Sequence, residues 1–447
     1  MEHFDFIALG GGNAGLTASK QIARAGNKVA LIDPTPIGGL CSLRGCNPKK
    51  VLVRAAEVLE ELLHAGEHGI SVGKIDIDWN AVITRKHRFT DPVTASAEQS
   101  LVKAGVHYIK APPHFIADDK LEANGRTLSF NGVVVATGSI PRRLTFPGAE
   151  YVSSSDDILE RHEAVPKTLA IIGSGVVAFE FGQVFARLGA CVHLLIHSDK
   201  VLRDLEQGIV TKLVEYSKSL GMILHERAEI ERVEPEKDTY LIKLKSSETL
   251  AADFILNAAG RPANIAHLNL EAAGVEYSAK GVVVNEYLRS LSNNRVFAAG
   301  DARGEKQLSP VASYEGGVVA QNFLRGDRVK ADLSTVPSAV FTVPPVATVG
   351  MTEDKARREK LSIDVVMQDM SHWTVFSIAG DQPAYGKIIS EKGTGRLLGA
   401  HLYGPGAEEN IHIFSLAMRF GITKMQLAEL IYAYPTYASA LSYLTSQ

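Results

Sequence analysis

The sequence predicts an α/β protein, with two wound units of parallel strands and helices followed by an α+β C-terminal portion. Three observations carry this. A short apolar strand, a glycine-rich turn and a helix occur in the same order near residues 4–25 and again near 168–188. Two further apolar runs, VVVATGS at 133–139 and RVFAAGDA at 295–302, close on small residues, as buried parallel strands do where their loops approach a ligand. In the C-terminal quarter the pattern turns to alternation, where GKIISEKGTGRLLGAHLYG reads as a hairpin and is followed by apolar-periodic helices over about 407–432.

A chain of 447 residues is long enough for about three domains, and 45% apolar with 22% charged residues is an ordinary globular composition. The stretches Arg143–Pro147 and Leu333–Pro337 are the expected boundaries. A net charge of -3, from 47 basic and 50 acidic side chains, leaves no positive excess to hold nucleic acid or an anionic membrane. The opening MEHFDFIALGGG lacks the basic start and long apolar stretch of a signal peptide, and no apolar run approaches the roughly 20 residues of a membrane span. A cytoplasmic location is expected. Three cysteines, Cys41, Cys46 and Cys191, are too few for a disulfide scaffold and point to catalytic or structural thiols in a reducing compartment.

In the first unit, FDFIALGGGNAGLTASKQIARAGNKVALID, the turn carries Gly10, Gly12 and Gly15. A nucleotide pyrophosphate needs backbone to come close and a helix N-terminus to face its charge, which glycines at these places allow. Asp33 follows Gly10 by 23 residues, where a carboxylate can accept a ribose hydroxyl. The competing reading is a tight structural turn, against which the strand, helix and acid together argue. The second unit, TLAIIGSGVVAFEFGQVFARLGACVHLLI, has Gly173, Gly175 and Ala178 in the turn, and its next strand ends at Ile196 without an acid. His197, Lys200 and Arg203 lie just beyond. A 2′-phosphate would be repelled by an acid there and would favour cations, so NADPH is expected over NADH, the alternative being a merely solvated basic edge.

The sharpest signal is GGLCSLRGCNPKK at 38–50, with two cysteines five positions apart. Five steps of regular helix rise about 7.5 Å, beyond the roughly 7 Å limit between bridged Cα atoms, so a Cys41–Cys46 bridge requires a distorted helix start. Gly38, Gly39 and Gly45 supply that freedom, and a helix N-terminus lowers a thiol pKa. A structural zinc site needs four ligands, and no second cysteine pair exists. Cys191, within ACVHLLI, reads as a small buried core residue.

On these motifs the chain resembles, over essentially its whole length, the flavoprotein disulfide reductases, which include glutathione reductase, dihydrolipoamide dehydrogenase and mercuric reductase. The resemblance implies two Rossmann-like dinucleotide-binding domains and a C-terminal α+β dimerisation domain. The corresponding division is 1–143 with 262–333 for FAD, 144–261 for NAD(P)H and 334–447 for dimerisation. It implies a homodimer whose active sites are each completed by the partner, with FAD and NADPH as cofactors and a small-molecule acceptor. Cys41 would exchange with substrate, Cys46 would lie next to the flavin, Lys49 would lie near flavin N5, and Glu180 would be its ion-pair partner. Asp301 in AAGDA would bind the FAD ribitol, and the segment ATGS at 136–139, with Ala136, Thr137 and Gly138, would border FAD. Lys50, Gly260 and Gly300 join the expected cofactor-binding set, and Ala178 agrees with the NADPH-using branch.

The sequence also departs from this pattern. Most members end in a His-Pro-Thr segment followed by a glutamate, whereas this chain reads AYPTYASAL, with Tyr434 at the histidine position and Ser439 at the glutamate position. An imidazolium gives its proton downhill to a departing thiolate, whereas a tyrosine gives it uphill by about 2 kcal/mol at ordinary acidities. Mercuric reductases also lack the histidine but use a C-terminal cysteine pair, and here the last cysteine is Cys191. Gly317 stands where glutathione reductases place a substrate-binding arginine. The expectation is an FAD-dependent NADPH oxidoreductase that reduces a disulfide or reactive-sulfur acceptor. The alternatives are a soft metal-ion reductase, a dihydrolipoamide dehydrogenase-like enzyme, and a flavoprotein partner with vestigial catalysis.

Overall fold

Side chains alternate across a strand, so a strand that is apolar at every position must be covered on both faces. The second halves of β1 (Glu2–Leu9) and β6 (Arg126–Val135), FIAL and GVVV, meet this condition. Ile7, Leu9, Val133 and Val135 enter one core, whereas Phe6, Ala8 and Val134 enter the core on the other face. The computed structural model describes residues 1–161, 164–380 and 382–447. It forms two compact units, the first of Met1–Lys49, Ile83–Arg143 and Gly260–Leu333, the second of Lys50–Val82, Leu144–Ala259 and Ser334–Gln447.

In the first unit β1 pairs in parallel with β6 and with β2 (Val29–Ile32), and β2 with β3 (Val106–Ile109). The antiparallel strands β4 (Pro113–Ala117) and β5 (Lys120–Ala123) extend the sheet beyond β6. The helices are α1 (Asn13–Arg24), α2 (Gly39–Arg44), the start of α3 (Cys46–Leu63) and most of α4 (Trp79–Ala104). RVFAAGDA supplies only a short strand, Val296–Ala298, parallel to β6, and then becomes a 3-10 turn over Gly300–Arg303.

The second unit contains α5 (Ser155–Glu160), β7 (Thr168–Ile172), α6 (Val176–Arg187), β8 (Cys191–Ile196), α7 (Gln207–Ser219) and β9 (Ile223–Glu226). β7, β8 and β9 are parallel, and β13 (Phe254–Asn257) pairs with β7 on the other side. An antiparallel meander of β10 (Ile230–Glu236), β11 (Thr239–Leu244) and β12 (Thr249–Ala252) packs on this sheet through Leu195, Val233 and Ile242. The short strand of the first unit at 296–298 is β14, and the helix at Ser309–Arg325 that follows it is α8.

A five-stranded antiparallel sheet follows, ordered β15 (Ser338–Val340), β16 (Val346–Gly350), β19 (Leu397–Tyr403), β18 (Tyr385–Glu391) and β17 (Ile363–Asp369). β18 and β19 are the expected hairpin. The expected helices over 407–432 are α11 (Ala407–Phe420) and α12 (Lys424–Ala428), separated at Gly421, with α13 (Ala440–Ser446) after them; α9 (Glu353–Arg358) and α10 (Thr374–Ile378) are short. Arg187 of α6 is held by buried Glu60 of α3 at 2.7 Å, and Tyr216 of α7 donates to the same carboxylate at 2.7 Å.

One expectation is corrected. Cys191 is exposed, not part of the core, because it is the first residue of β8 and stands at the entering end of the strand. Among the described residues, no helix is long and apolar enough to cross a membrane.

Candidate functional site

The two cysteines are brought together by a break in the helix. α2 ends at Arg44, Gly45 leaves helical geometry at φ -132° and ψ -110°, and α3 restarts at Cys46. A Cβ on Gly45 would lie 3.0 Å from the Leu40 carbonyl oxygen and 3.3 Å from Cys41 Cα, so any side chain would press the two turns apart. Both cysteines stand as thiols, with Cys41 partly buried and Cys46 exposed. The Cys46 thiol donates to the Cys41 sulfur and is the main cause of a Cys41 pKa lowered to about 6. Burial opposes this, while the Ser309 hydroxyl, the Cys46 backbone N–H and the Lys49 charge reinforce it.

Around the first glycine turn the backbone is close-packed. A Cβ on Gly15 would lie 2.0 Å from the Gly10 carbonyl, and one on Gly10 2.3 Å from that of Ala136. Gly12, at the N-cap of α1, has only Gly39 Cα near it, at 3.7 Å, so the mouth of the turn stays open beside the cysteine segment. Asp33 accepts from the Gly11 N–H at 2.6 Å and from the Thr35 N–H at 2.8 Å, which fixes its carboxylate over the turn. Asp301 accepts from the Ser139 hydroxyl at 2.7 Å. Burial raises its carboxyl, with Ser139 and the Arg261 charge acting against this. Gly300 donates its N–H to Glu315 of α8 at 2.7 Å, and the Gly260 carbonyl accepts from the Arg142 N–H at 2.9 Å. Among the described residues, the Thr137 hydroxyl is a buried oxygen with no hydrogen-bond partner, next to Gly138, whose Cβ direction is open.

In the second unit, Gly175 caps α6 and has open space where a side chain would stand, while Ala178 is fully buried. The loop after β8 is tied to this turn, since the Leu202 N–H donates to the Ser174 carbonyl at 2.9 Å and the Ser174 and Ser198 hydroxyls meet at 3.0 Å. His197 and Arg203 therefore flank the Gly173 turn, both exposed, whereas Lys200 pairs with Asp354 at 3.5 Å. Glu180 is buried and accepts from the Phe341 N–H at 2.7 Å. Lys50 lies 3.5 Å from the centre of the Phe341 ring. Tyr434 is 67% exposed, ahead of α13. Ser439 is turned inward, donating to the Thr436 carbonyl at 2.6 Å and capping its N–H, so its hydroxyl serves the backbone of the turn.

Residues 4–316 match the pyridine nucleotide-disulphide oxidoreductase family, and residues 336–444 match the dimerisation domain of the same name. The chain belongs to the pyridine nucleotide-disulphide oxidoreductases. As a member it is an FAD-dependent flavoprotein that uses a pyridine nucleotide and acts on disulfides, and its dimerisation domain makes it a homodimer. It is similar to a mercuric reductase of Lysinibacillus sphaericus, 30% identical over 98% of this chain and 82% of that protein. A dihydrolipoyl dehydrogenase of Bacillus subtilis is 31% identical over 97% of this chain and 96% of that protein. Among solved structures, the Cu(II) complex of the HOCl-induced flavoprotein disulfide reductase RclA from Escherichia coli has a TM-score of 0.89 at 26% identity, covering 100% of this chain and 99% of that one.

The oxidoreductase's residues fit FAD: an open glycine turn on the N-terminus of α1, a partnerless buried hydroxyl at Thr137 and the half-buried carboxyl of Asp301 are polar groups suited to a ligand. Sequence reasoning missed Ser309, the first residue of α8, which bonds Cys41 and is itself held by the side-chain amide of Asn13. It also missed Arg261, whose charge acts on Asp301 and whose guanidinium donates to the Ser139 carbonyl at 3.0 Å. The one available signal for Ser309 was a serine before Pro310 at the start of a helix.

Proposed function

We propose that this oxidoreductase passes two electrons from NADPH to the Cys41–Cys46 pair and thence to a small disulfide or reactive-sulfur acceptor whose departing sulfur is a stable anion. The observation that carries this reading is a Cys41 thiol lowered to about 6 in a chain with Tyr434 and Ser439 where the family pattern has an acid–base pair. When bound, FAD supplies the relay between nicotinamide and disulfide; Gly10, Gly12, Gly15, Asp33, Ala136, Thr137, Gly138, Gly260, Gly300 and Asp301 would hold it. Cys41 Sγ attacks one acceptor sulfur, the acceptor S–S bond breaks, and its electron pair leaves on the other sulfur. Cys46 then attacks Cys41 Sγ, which closes the Cys41–Cys46 disulfide and releases the second half of the acceptor, protonated by the proton Cys46 loses. The first half departs as a thiolate, and the Ser439 hydroxyl, committed to Thr436, cannot hold a proton donor against it.

Lys49 and Glu180 are proposed to serve the flavin end of the pair, and Lys50 to support it from the ring of Phe341. His197 and Arg203, beside the Gly173, Gly175 and Ala178 turn, would receive the 2′-phosphate. The same reading takes 1–143 with 262–333 as the FAD domain, 144–261 as the NADPH domain and 334–447 as the dimerisation domain, in a cytoplasmic protein.

The test compares kcat/KM for an aromatic disulfide and for glutathione disulfide with NADPH as donor. The aromatic acceptor should win by about 10²- to 10⁴-fold, the usual worth of a general acid. Tyr434→His combined with Ser439→Glu should raise glutathione disulfide turnover, and Arg203→Ala should weaken NADPH more than NADH. Equal rates for the two acceptors in the unmodified enzyme would sink the reading.

A second reading is favoured by one feature, two adjacent sulfurs with the first already a thiolate near neutral pH. Such a pair suits a soft metal ion as acceptor. The mercuric reductase relative and the Cu(II) complex of RclA support it. Metal-dependent NADPH oxidation that exceeds turnover of every disulfide would favour it over the first.

A further inference from the structure

The third cysteine stands at the end of an aligned row of side chains that the redox pair does not use. Cys191 and His193 are two apart on β8 and so share a face, and His225 of β9, paired in register with Leu195, lies on the same face. Cys191 Sγ is 3.4 Å from His193 Nε2, His193 Nδ1 is 2.9 Å from His225 Nε2, and His225 Nδ1 is 3.2 Å from a carboxylate oxygen of Glu248, in the turn between β11 and β12. The two imidazoles stack with centroids 5.2 Å apart.

With both imidazoles neutral, the row admits one set of proton directions. A carboxylate only accepts, so His225 Nδ1 carries a hydrogen. A neutral imidazole carries one, so His225 Nε2 accepts and His193 Nδ1 donates to it. His193 Nε2 is then a lone pair, aimed at an exposed thiol. We propose that Cys191 is a second reactive thiol, separate from the Cys41–Cys46 pair, at which His193 acts as base and through which small disulfides attach covalently to the protein. Cys191 gives its proton to His193 Nε2 and its sulfur attacks a disulfide. A new S–S bond forms to Cys191, the old one breaks, and its electron pair leaves on the departing thiolate. Cys191 is oxidised to a mixed disulfide as that half of the reagent is reduced. His225 and Glu248 are positioning residues that hold the imidazole in the tautomer that can take a proton. Burial and the neighbouring His225 lower the His193 pKa, with Glu248 opposing them, which keeps the imidazole neutral and its Nε2 lone pair available while making it a weaker base than a free imidazole. The thiol lies at the entering end of β8, roughly 17 Å along the strand from the end where His197 flanks the nucleotide turn, so attachment there need not block the nucleotide.

The chain has three cysteines, so Cys41→Ser with Cys46→Ser leaves Cys191 alone. In that FAD-loaded double variant, 4,4′-dithiodipyridine should release one equivalent of thiopyridone and add one mixed disulfide by intact mass. Adding His193→Ala should slow this about 10²-fold, in the range of lost general base catalysis, and imidazole in the buffer should restore part of the rate. Glu248→Gln, at an exposed position, should also slow it, while Glu248→Asp should not. The proposal is overturned if the rate is unchanged by both His193→Ala and Glu248→Gln, or if imidazole gives no recovery. Should His193→Ala fail to fold, the Glu248→Gln and Glu248→Asp pair decides alone.

Discussion

A thiol of ordinary acidity is almost wholly protonated at neutral pH, and a sulfur that attacks another sulfur must be a thiolate. Cys41 meets that need through its neighbours, first the Cys46 thiol and, against the cost of burial, the Ser309 hydroxyl and the Lys49 charge. The sign is that of an acid with a depressed pKa: below about pH 6 the sulfur is protonated, and above it the thiolate dominates. Carboxamidomethylation of the NADPH-reduced enzyme should therefore rise with pH through a midpoint near 6, and Ser309→Ala should move that midpoint upward by removing a donor. Mass spectrometry of the Cys41 peptide reads this directly. A midpoint where an ordinary cysteine titrates would show that these hydrogen bonds do not form in solution.

α3 begins at Cys46 and carries Glu60 four turns later, where Arg187 of α6 and Tyr216 of α7 converge on its carboxylate. Burial raises this carboxyl, but the hydrogen bond and charge of Arg187, with help from Tyr216, leave it below its ordinary value. Arg187 also donates to the Val343 carbonyl at 2.5 Å, so one guanidinium joins α3, α6 and the strand-rich C-terminal portion of the unit. Removing one charge of a buried pair costs about 3–5 kcal/mol, whereas replacing both by apolar groups is often neutral. Glu60→Gln should thus lower the urea midpoint sharply, and Glu60→Leu with Arg187→Met should recover most of the loss. Because the Glu60 pKa is depressed in the fold, its contribution is present above the ordinary carboxylate pKa and lost as pH falls through the lower folded value. A Glu60→Gln protein as stable as the parent would mean the pair carries no net energy.

The protein as a whole is a homodimer, and the C-terminal portion of the second unit leaves a run of large apolar side chains exposed on one subunit. Leu416 and Phe420 are one helical turn apart on α11, Met425 lies on α12, and Leu430 and Ile431 follow it. Exposed apolar side chains grouped in this way within a dimerisation domain are what an interface covers. Phe420→Asp with Ile431→Asp should give a monomer by light scattering. If each site also draws on its partner, disulfide turnover should fall with dimer content on dilution. A double variant that stays dimeric with full turnover would place the interface elsewhere.

The sequence by itself determined the strand–glycine–helix order of both wound units, the hairpin of the last sheet, and the cysteine pair with its need for a broken helix. Each is a local pattern whose stereochemistry admits few solutions: a Cβ at Gly15 or Gly45 collides with backbone a few residues away. The missing histidine and glutamate were legible in the same way, as side chains standing at fixed places in a segment. What Ser439 does with its hydroxyl was not legible, because that depends on a turn in which Thr436 is the partner. Only the tertiary structure placed Ser309 against Cys41 and held it with Asn13, 296 residues away in sequence, since a contact between distant segments leaves no periodic trace along the chain. It likewise overturned the burial expected of Cys191. An apolar strand predicts burial for its middle, but which end meets solvent depends on where the sheet stops, and at Cys191 that end also meets two histidines and a glutamate drawn from β8, β9 and the turn after β11.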